Sequence, residues 1–284
     1  MAMAEETTPV IPALRKGIMP IVLEKLGFGL IWFLAGFAML LLIAPSLIVV
    51  VISFTETAYI TFPPQGFSLE WYADLFDRRQ LIDAALTSLK ISVWSTLAAL
   101  LLAIPAAFSL VRGRYPGKTF AGALIVAPQM MPGMVIGVAL LFFGAYFAFR
   151  QSDLMLILGL TVFCLPFAVR LVMAQLQLLD PALEEASLSL GASRLRGFVQ
   201  ITMRQIIPAI MASAAFVFIE SFDNLTVALF TSSPRGRPLS VELYNLVQFD
   251  SSPMVAALSS LEILLAFVIM LLLSRTIGLD RLVK

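Results

Sequence analysis

The stretch "ALEEASLSLGASRLRGF", Ala182 to Phe198, is a polar, helix-patterned interruption in an otherwise apolar chain. Just before it, Asp180 followed by Pro181 supplies a helix N-cap with proline at the first helical position, where an N–H would have no partner within the helix. Glu184 and Glu185 in the opening turns complement the positive end of the helix dipole. The spacing predicts a helix from about 181, with Leu183, Ser187 and Leu190 on one face, Ala186 beside them, and Gly191 ending it as a C-terminal glycine. Ser193 then caps a second short helix whose Arg194 and Arg196 are solvated and whose Phe198, Ile201 and Ile206 lead back into apolar sequence. The element is too short and too charged to cross a bilayer, and a helix lying on a membrane surface would present more Trp, Phe and Lys. Its small residues Ala186, Ser187, Ser189 and Ala192 let another surface approach closely, so the stretch reads as a docking element.

On both sides the chain is greasy. Of its 284 residues, 60% are hydrophobic and 13% charged, the composition of an integral membrane protein. Roughly 20 apolar residues cross about 30 Å of hydrocarbon. Six runs reach that length, at about 28–54, 86–111, 119–148, 152–178, 205–231 and 254–274, giving an all-α membrane protein with six transmembrane helices. Residues 1–27, with Pro9, Pro12 and Pro20, are expected to form a tail that is partly disordered or lies along the membrane surface. The first run starts too far from the N-terminus and is too long for a removable signal peptide.

Basic residues orient the helices. Placing the N-tail, the 112–118 turn, the 170–204 segment and the C-tail on one side gathers 13 of the 19 Lys and Arg residues there. That asymmetry predicts both termini in the cytoplasm. The net charge of +1 says nothing about nucleic acid, but the lack of a basic stripe interleaved with aromatics argues against it as a partner. One cysteine, Cys164, and no histidine exclude an internal disulfide, a histidine-based metal site and a Ser-His-Asp triad. No metal or cofactor site is expected in this chain.

Several shorter features read structurally. "FPPQGFSLEWYADLF" in the first external segment predicts a turn, a cap at Ser68, and a short helix whose Trp71, Tyr72 and Phe76 suit the interfacial belt. Prolines inside the runs, including those of "APQMMPG", bend helices. "GMVIG", Gly133 to Gly137, has the small-xxx-small spacing of close helix packing. "GKT" at Gly117–Thr119 ends like a phosphate-binding loop, but Arg112 occupies the position of the required first glycine and no strand precedes it. Arg112, Arg114 and Lys118 instead read as cytoplasmic anchors.

Three acids lie inside apolar runs: Glu220 and Asp223 in the fifth, and Glu262 in the sixth. The spacing of Glu220, Asp223 and Asn224 predicts one shared helical face. Counting at 1.5 Å per residue puts Glu220 and Glu262 each about 18 Å deep, so they are expected to meet near mid-membrane. A carboxylate there costs roughly 2.5–3.5 kcal/mol unless it faces water or a partner, and no basic residue occupies the interior of a run. A cationic solute in transit would neutralise these acids; so would a proton shared between them, or hydrogen bonds with backbone groups freed by a proline.

"LEEASLSLGAS" followed by "IIPAI" resembles the loop, patterned Glu-Ala-Ala, three residues, Gly, then Ile-x-Leu-Pro, of membrane subunits of binding-protein-dependent ABC importers. Glu185, Ala186, Ser187 and Gly191 occupy the first part, with Ser187 a small-for-small change. Met203 and Arg204 stand where the pattern has Leu-Pro, which puts the entry angle of the fifth run in doubt. Six runs, "TSLKIS", "GFSLEWYADLF" and "ESFDNLTVALF" extend the resemblance to permeases of the spermidine/putrescine branch, which also includes opine-type and other cationic or zwitterionic solute systems.

The resemblance implies a type I ABC importer permease fold in a bacterial inner membrane and a transport role, not an enzymatic one. Partners would be a second permease subunit in a heterodimer, two cytoplasmic ATPase subunits that bind ATP and Mg, and an external solute-binding protein. The coupling segment would be the 180–203 loop, with Glu184, Glu185, Ala186, Ser187, Leu190, Gly191 and Ala192 contacting the ATPase. Glu220, Asp223, Asn224 and Glu262 would line a weak path for a small cationic or zwitterionic solute such as a polyamine. An ion-coupled secondary transporter using the same carboxylates is the rival, but it leaves the helix–glycine–helix element unexplained.

Overall fold

A computed structural model describes residues 18–147, 152–233, 236–250 and 252–277. Most of the expected tail (residues 1–17), Ala148 at the end of the third run, Arg150, Arg235, Arg281 and Lys284 lie outside the described residues. Two compact units are present, divided after Ile48. The first contains most of helix α1 (Ile18–Ile52), which begins ahead of the expected boundary at 28. From Phe28 onward α1 is apolar around its circumference, the composition of a helix made for hydrocarbon.

The second unit holds α2 (Glu70–Asp77), α3 (Arg79–Arg112), α4 (Lys118–Met130), α5 (Gly133–Tyr146), α6 (Asp153–Leu178), α7 (Ala182–Ser189), α8 (Arg194–Gly197), α9 (Arg204–Phe222), α10 (Leu225–Thr231), α11 (Leu239–Phe249) and α12 (Met254–Ile277). Phe198–Met203 form a π-helical turn joining α8 to α9. The core lies where α3, α6 and α9 meet. Ala99, Ala103 and Ala107 recur at four-residue spacing along α3, and their small side chains bring it close to Ala168, Val169 and Val172 of α6, with Ile206 and Val217 of α9 completing the cluster.

The same stripe continues toward the start of α3 as buried Ser88, Ser92 and Thr96. Ser92 and Thr96 donate to the carbonyls of Ser88 and Ser92, each at 2.7 Å, and Ser88 Oγ accepts the Leu239 N–H at 2.8 Å. These bonds satisfy polar groups that hydrocarbon would leave without partners.

Two expected runs are broken. The third is not one helix: α4 and α5 meet at 101° around Met131 and Pro132. A residue before proline is pushed out of the helical region, and Met131 is extended (φ −95, ψ 138). Five described helices are therefore long and apolar enough to cross a membrane singly, and the α4–α5 pair makes a sixth crossing if counted as one span. The fifth run ends as α9 at Phe222 and resumes as α10 at Leu225.

The GxxxG spacing does pack. A Cβ on Gly137 would sit 2.8 Å from Phe230 Cδ2 and 3.0 Å from the Thr226 carbonyl oxygen, so glycine permits close contact between α5 and α10. Trp71 and Tyr72 also have internal roles. Trp71 Nε1 donates to Thr55 O at 2.9 Å, and the Tyr72 hydroxyl bonds Ser53 and Ser260, each at 2.7 Å. These bonds pin α2 down, while Phe76 is 62% exposed.

Candidate functional site

The polar segment folds largely as its sequence dictates. Asp180 Oδ1 accepts the Ala182 N–H at 2.9 Å, and α7 follows. Gly191 adopts φ +88. Its N–H bonds Leu188 O at 2.9 Å while the Ala192 N–H bonds Ser187 O at 3.1 Å, the paired bonds of a Schellman turn, which places a left-handed residue at Gly191. Ser193 Oγ then accepts the Arg196 N–H at 3.3 Å and starts α8.

Two expectations need correction here. The supposed common face of Leu183, Ser187 and Leu190 is split, because Ser187 turns inward: a Cβ added to buried Gly197 would lie 2.6 Å from Ser187 Oγ. Leu190 is 89% exposed, with Leu183 and Leu195 also outside. The second short helix is also not separate from the fifth run, since Arg194–Phe222 is one apolar helical stretch. Arg204 retains the backbone N–H that a proline would lack, so nothing at this position stops the helix.

The two glutamates of α7 point apart. Glu185 is exposed. Glu184 is half-buried and accepts hydrogen bonds from Arg112, at the end of α3, and from Thr202 Oγ1 at 2.9 Å. Burial alone would raise the Glu184 carboxyl's pKa, but those two hydrogen bonds and the Arg112 charge outweigh it and hold the group below the ordinary glutamate value. The Arg112 guanidinium also sits 5.8 Å from the Phe108 ring centroid, and Phe108 meets Phe198 at 5.0 Å. Sequence reasoning missed Thr202 and read Arg112 only as an anchor. Lys118, of the false phosphate loop, donates to the Val111 and Gly113 carbonyls at 3.3 and 3.1 Å, capping the end of α3.

Asp223 and Glu262 come together inside the membrane-spanning part. Both line a cavity of about 340 Å³ between α9, α11 and α12, with Phe218, Phe222, Leu243 and Ser259. Among the described residues, no Lys or Arg lines it. Glu262 Oε1 is buried with no hydrogen-bond partner among the described residues. Glu220 and Asn224 do not line this cavity. The helix ends at Phe222, yet Glu220 stays beside Asp223 and Asn224, so the three expected polar residues remain neighbours across the break. Asn224 is extended (φ −72, ψ 97); its Oδ1 accepts the Val227 N–H at 3.0 Å and caps α10. Glu220 remains half-buried, one turn before the break.

A bent fourth-and-fifth helix pair, a long α3–α6–α9 core and a capped polar loop match a known architecture. Residues 99–279 match the family described as binding-protein-dependent transport system inner membrane component. The chain belongs to this family. It is similar to the spermidine/putrescine transport system permease protein PotC of Escherichia coli (strain K12), 31% identical over 84% of this chain and 89% of that protein. It is also similar to the putrescine transport system permease protein PotI of the same strain, 32% identical over 80% of this chain and 83% of that protein.

Among solved structures, a bacterial alginate ABC transporter in complex with an alginate pentasaccharide-bound periplasmic protein has a chain matching 95% of this one with TM-score 0.69 at 16% identity, covering 99% of that chain. The chain is thus an ABC importer permease of the spermidine/putrescine branch, with the all-α fold of type I importer permeases and a multi-pass place in the inner membrane. Its relatives are permease subunits, not enzymes.

Proposed function

We propose that this permease imports a small organic cation of polyamine type, driven by ATP hydrolysis on separate subunits. The observation that carries the solute class is the convergence of Asp223 and Glu262 on one cavity with no basic residue among its described lining residues. The carboxylates attract an ammonium group, while Phe218, Phe222 and Leu243 accommodate methylene carbons. The names of PotC and PotI support the same class. A path of this kind binds weakly, and selection rests with an external solute-binding protein.

The α7–α8 segment lies in the cytoplasm with both termini, and an ATPase subunit receives it. Glu185, Ala186 and Leu190 meet that subunit, the Gly191 turn and Ala192 set their presentation, and ATP and Mg bind on the motor. A second, different permease chain completes the assembly. Proteoliposomes containing the whole transporter, with ATP inside and the binding protein outside, should accumulate labelled putrescine. Asp223→Asn should lower that uptake without altering subunit stoichiometry. Equal uptake by this variant would remove the electrostatic path, and uptake driven by an ion gradient without ATP would replace the ABC mechanism with a secondary transporter.

A further inference from the structure

Beside the outward Glu185, Glu184 is committed to the permease itself, and the elements it joins are far apart in sequence. Arg112 is 72 residues away and Thr202 is 18 away. One carboxylate oxygen therefore bonds the last residue of α3 and a buried hydroxyl in the π-helical turn that leads into α9. Thr202 is 1% exposed, and both Arg112 and Glu184 have more than two thirds of their side chains shielded. Shielding of this kind makes a charge-assisted pair stronger than a surface ion pair.

The consequences run along α3. Its 34 residues span about 50 Å at 1.5 Å per residue. At its far end Gln80 Nε2 donates to buried Glu242 at 2.8 Å, and Ser88 accepts the Leu239 N–H, so α3 is tied to α11 there. A displacement at Arg112 thus has a continuous, bonded route to the opposite end of the unit. Loop movement reaches α6 and α9 through the backbone, and α3 through its packing against both; the Glu184–Arg112 bond and the Phe108–Phe198 ring contact add a direct link from the loop to the end of α3.

We infer that Glu184 is a positioning residue that locks α7 to the end of α3, through Arg112, as well as to the head of α9, through Thr202, so that α3 moves with the coupling segment. The inference rests on α7 being the segment the ATPase moves. Spin labels on Arg114→Cys and Ser189→Cys report the lock directly, because both positions are exposed and native Cys164 is fully buried. In the assembled transporter the label distance should remain single and unchanged on adding MgATP with vanadate. Glu184→Gln and Arg112→Gln should broaden or shift it.

In the same variants, putrescine uptake should fall about tenfold while ATP hydrolysis persists, the loss expected for one hydrogen-bonded charge. The reciprocal swap Arg112→Glu with Glu184→Arg should recover a single distance and part of the uptake, which a merely damaged fold would not. Thr202→Val provides a milder variant if the charge variants assemble poorly, and should broaden the same distance. An unaltered distance in Glu184→Gln, or a swap no better than its single variants, overturns the lock. Leu190→Asp leaves the lock intact and should release the ATPase on co-purification; an ATPase that stays bound overturns the docking reading, while the label distance still judges the lock.

Discussion

Replacing Gly191 isolates a backbone effect from a contact effect. Its φ of +88 lies in the left-handed region, yet nothing falls within 4 Å of a Cβ built there. Alanine and leucine therefore meet the same obstacle, the conformation itself, which costs an L-residue about 1–2 kcal/mol; asparagine tolerates it better. A penalty of that size changes the ratio of formed to unformed turn by about 5–30-fold. The turn fixes the angle between α7 and α8 through the Leu188 and Ser187 carbonyls, and with it the presentation of Leu190. ATP-driven uptake per inserted permease should fall about fivefold or more for both Gly191→Ala and Gly191→Leu, with Gly191→Asn intermediate. Membrane insertion should be unchanged. Wild-type uptake in the alanine and leucine variants would refute the reasoning, as would asparagine doing equal harm. A leucine effect far beyond that of alanine would assign the excess to a clash with the docked subunit.

Three further outcomes follow from the geometry. Gly137→Leu should destabilise the purified permease by about 1–3 kcal/mol or more, because its Cβ would press on the Thr226 carbonyl, which cannot move aside as a flexible side chain could; a thermal melt matching wild type would contradict the α5–α10 contact. Ser88→Ala should cost about 1–3 kcal/mol by leaving the buried Leu239 N–H without its acceptor, and Ser88→Thr should be milder if its hydroxyl keeps that role. Glu184 has a carboxyl held below its ordinary value, so its stabilising contribution is complete above the ordinary glutamate range and disappears as pH falls through the lowered one. The melting-temperature advantage of wild type over Glu184→Gln should therefore stay flat from neutral to mildly acidic pH and vanish in stronger acid. An advantage that grows on acidification would reverse the assigned sign.

Legibility divides along sequence distance. The Asp180 start, the Ser193 cap and the Gly191 turn were readable because each is closed by bonds spanning at most five residues. The roles of Glu184 and Ser187 were not, since a helical wheel places both on an exposed segment and their partners, Arg112 and Gly197, come from other elements. The α3 stripe was missed for a related reason: Ser88, Ser92 and Thr96 look polar in sequence, but the intrahelical bonds of Ser92 and Thr96 and the Leu239 N–H at Ser88 let them behave as small packing residues. Pro132 announced a bend, and only the extended Met131 beside it makes that bend a break.

The interruption of the fifth run carries neither proline nor glycine at Asp223 and Asn224, so periodicity continued through it. Its signal was chemical: asparagine three residues before Val227 can replace a helical acceptor with its own side chain. That substitution gives the backbone a way to leave the helix without abandoning the Val227 N–H in an apolar surrounding. The break therefore explains why Asn224 is buried as a cap while Asp223, one residue earlier at the end of α9, borders the cavity shared with Glu262. The two adjacent polar residues thus take different places: Asn224 holds the backbone at the start of α10, and Asp223 borders the cavity with Glu262.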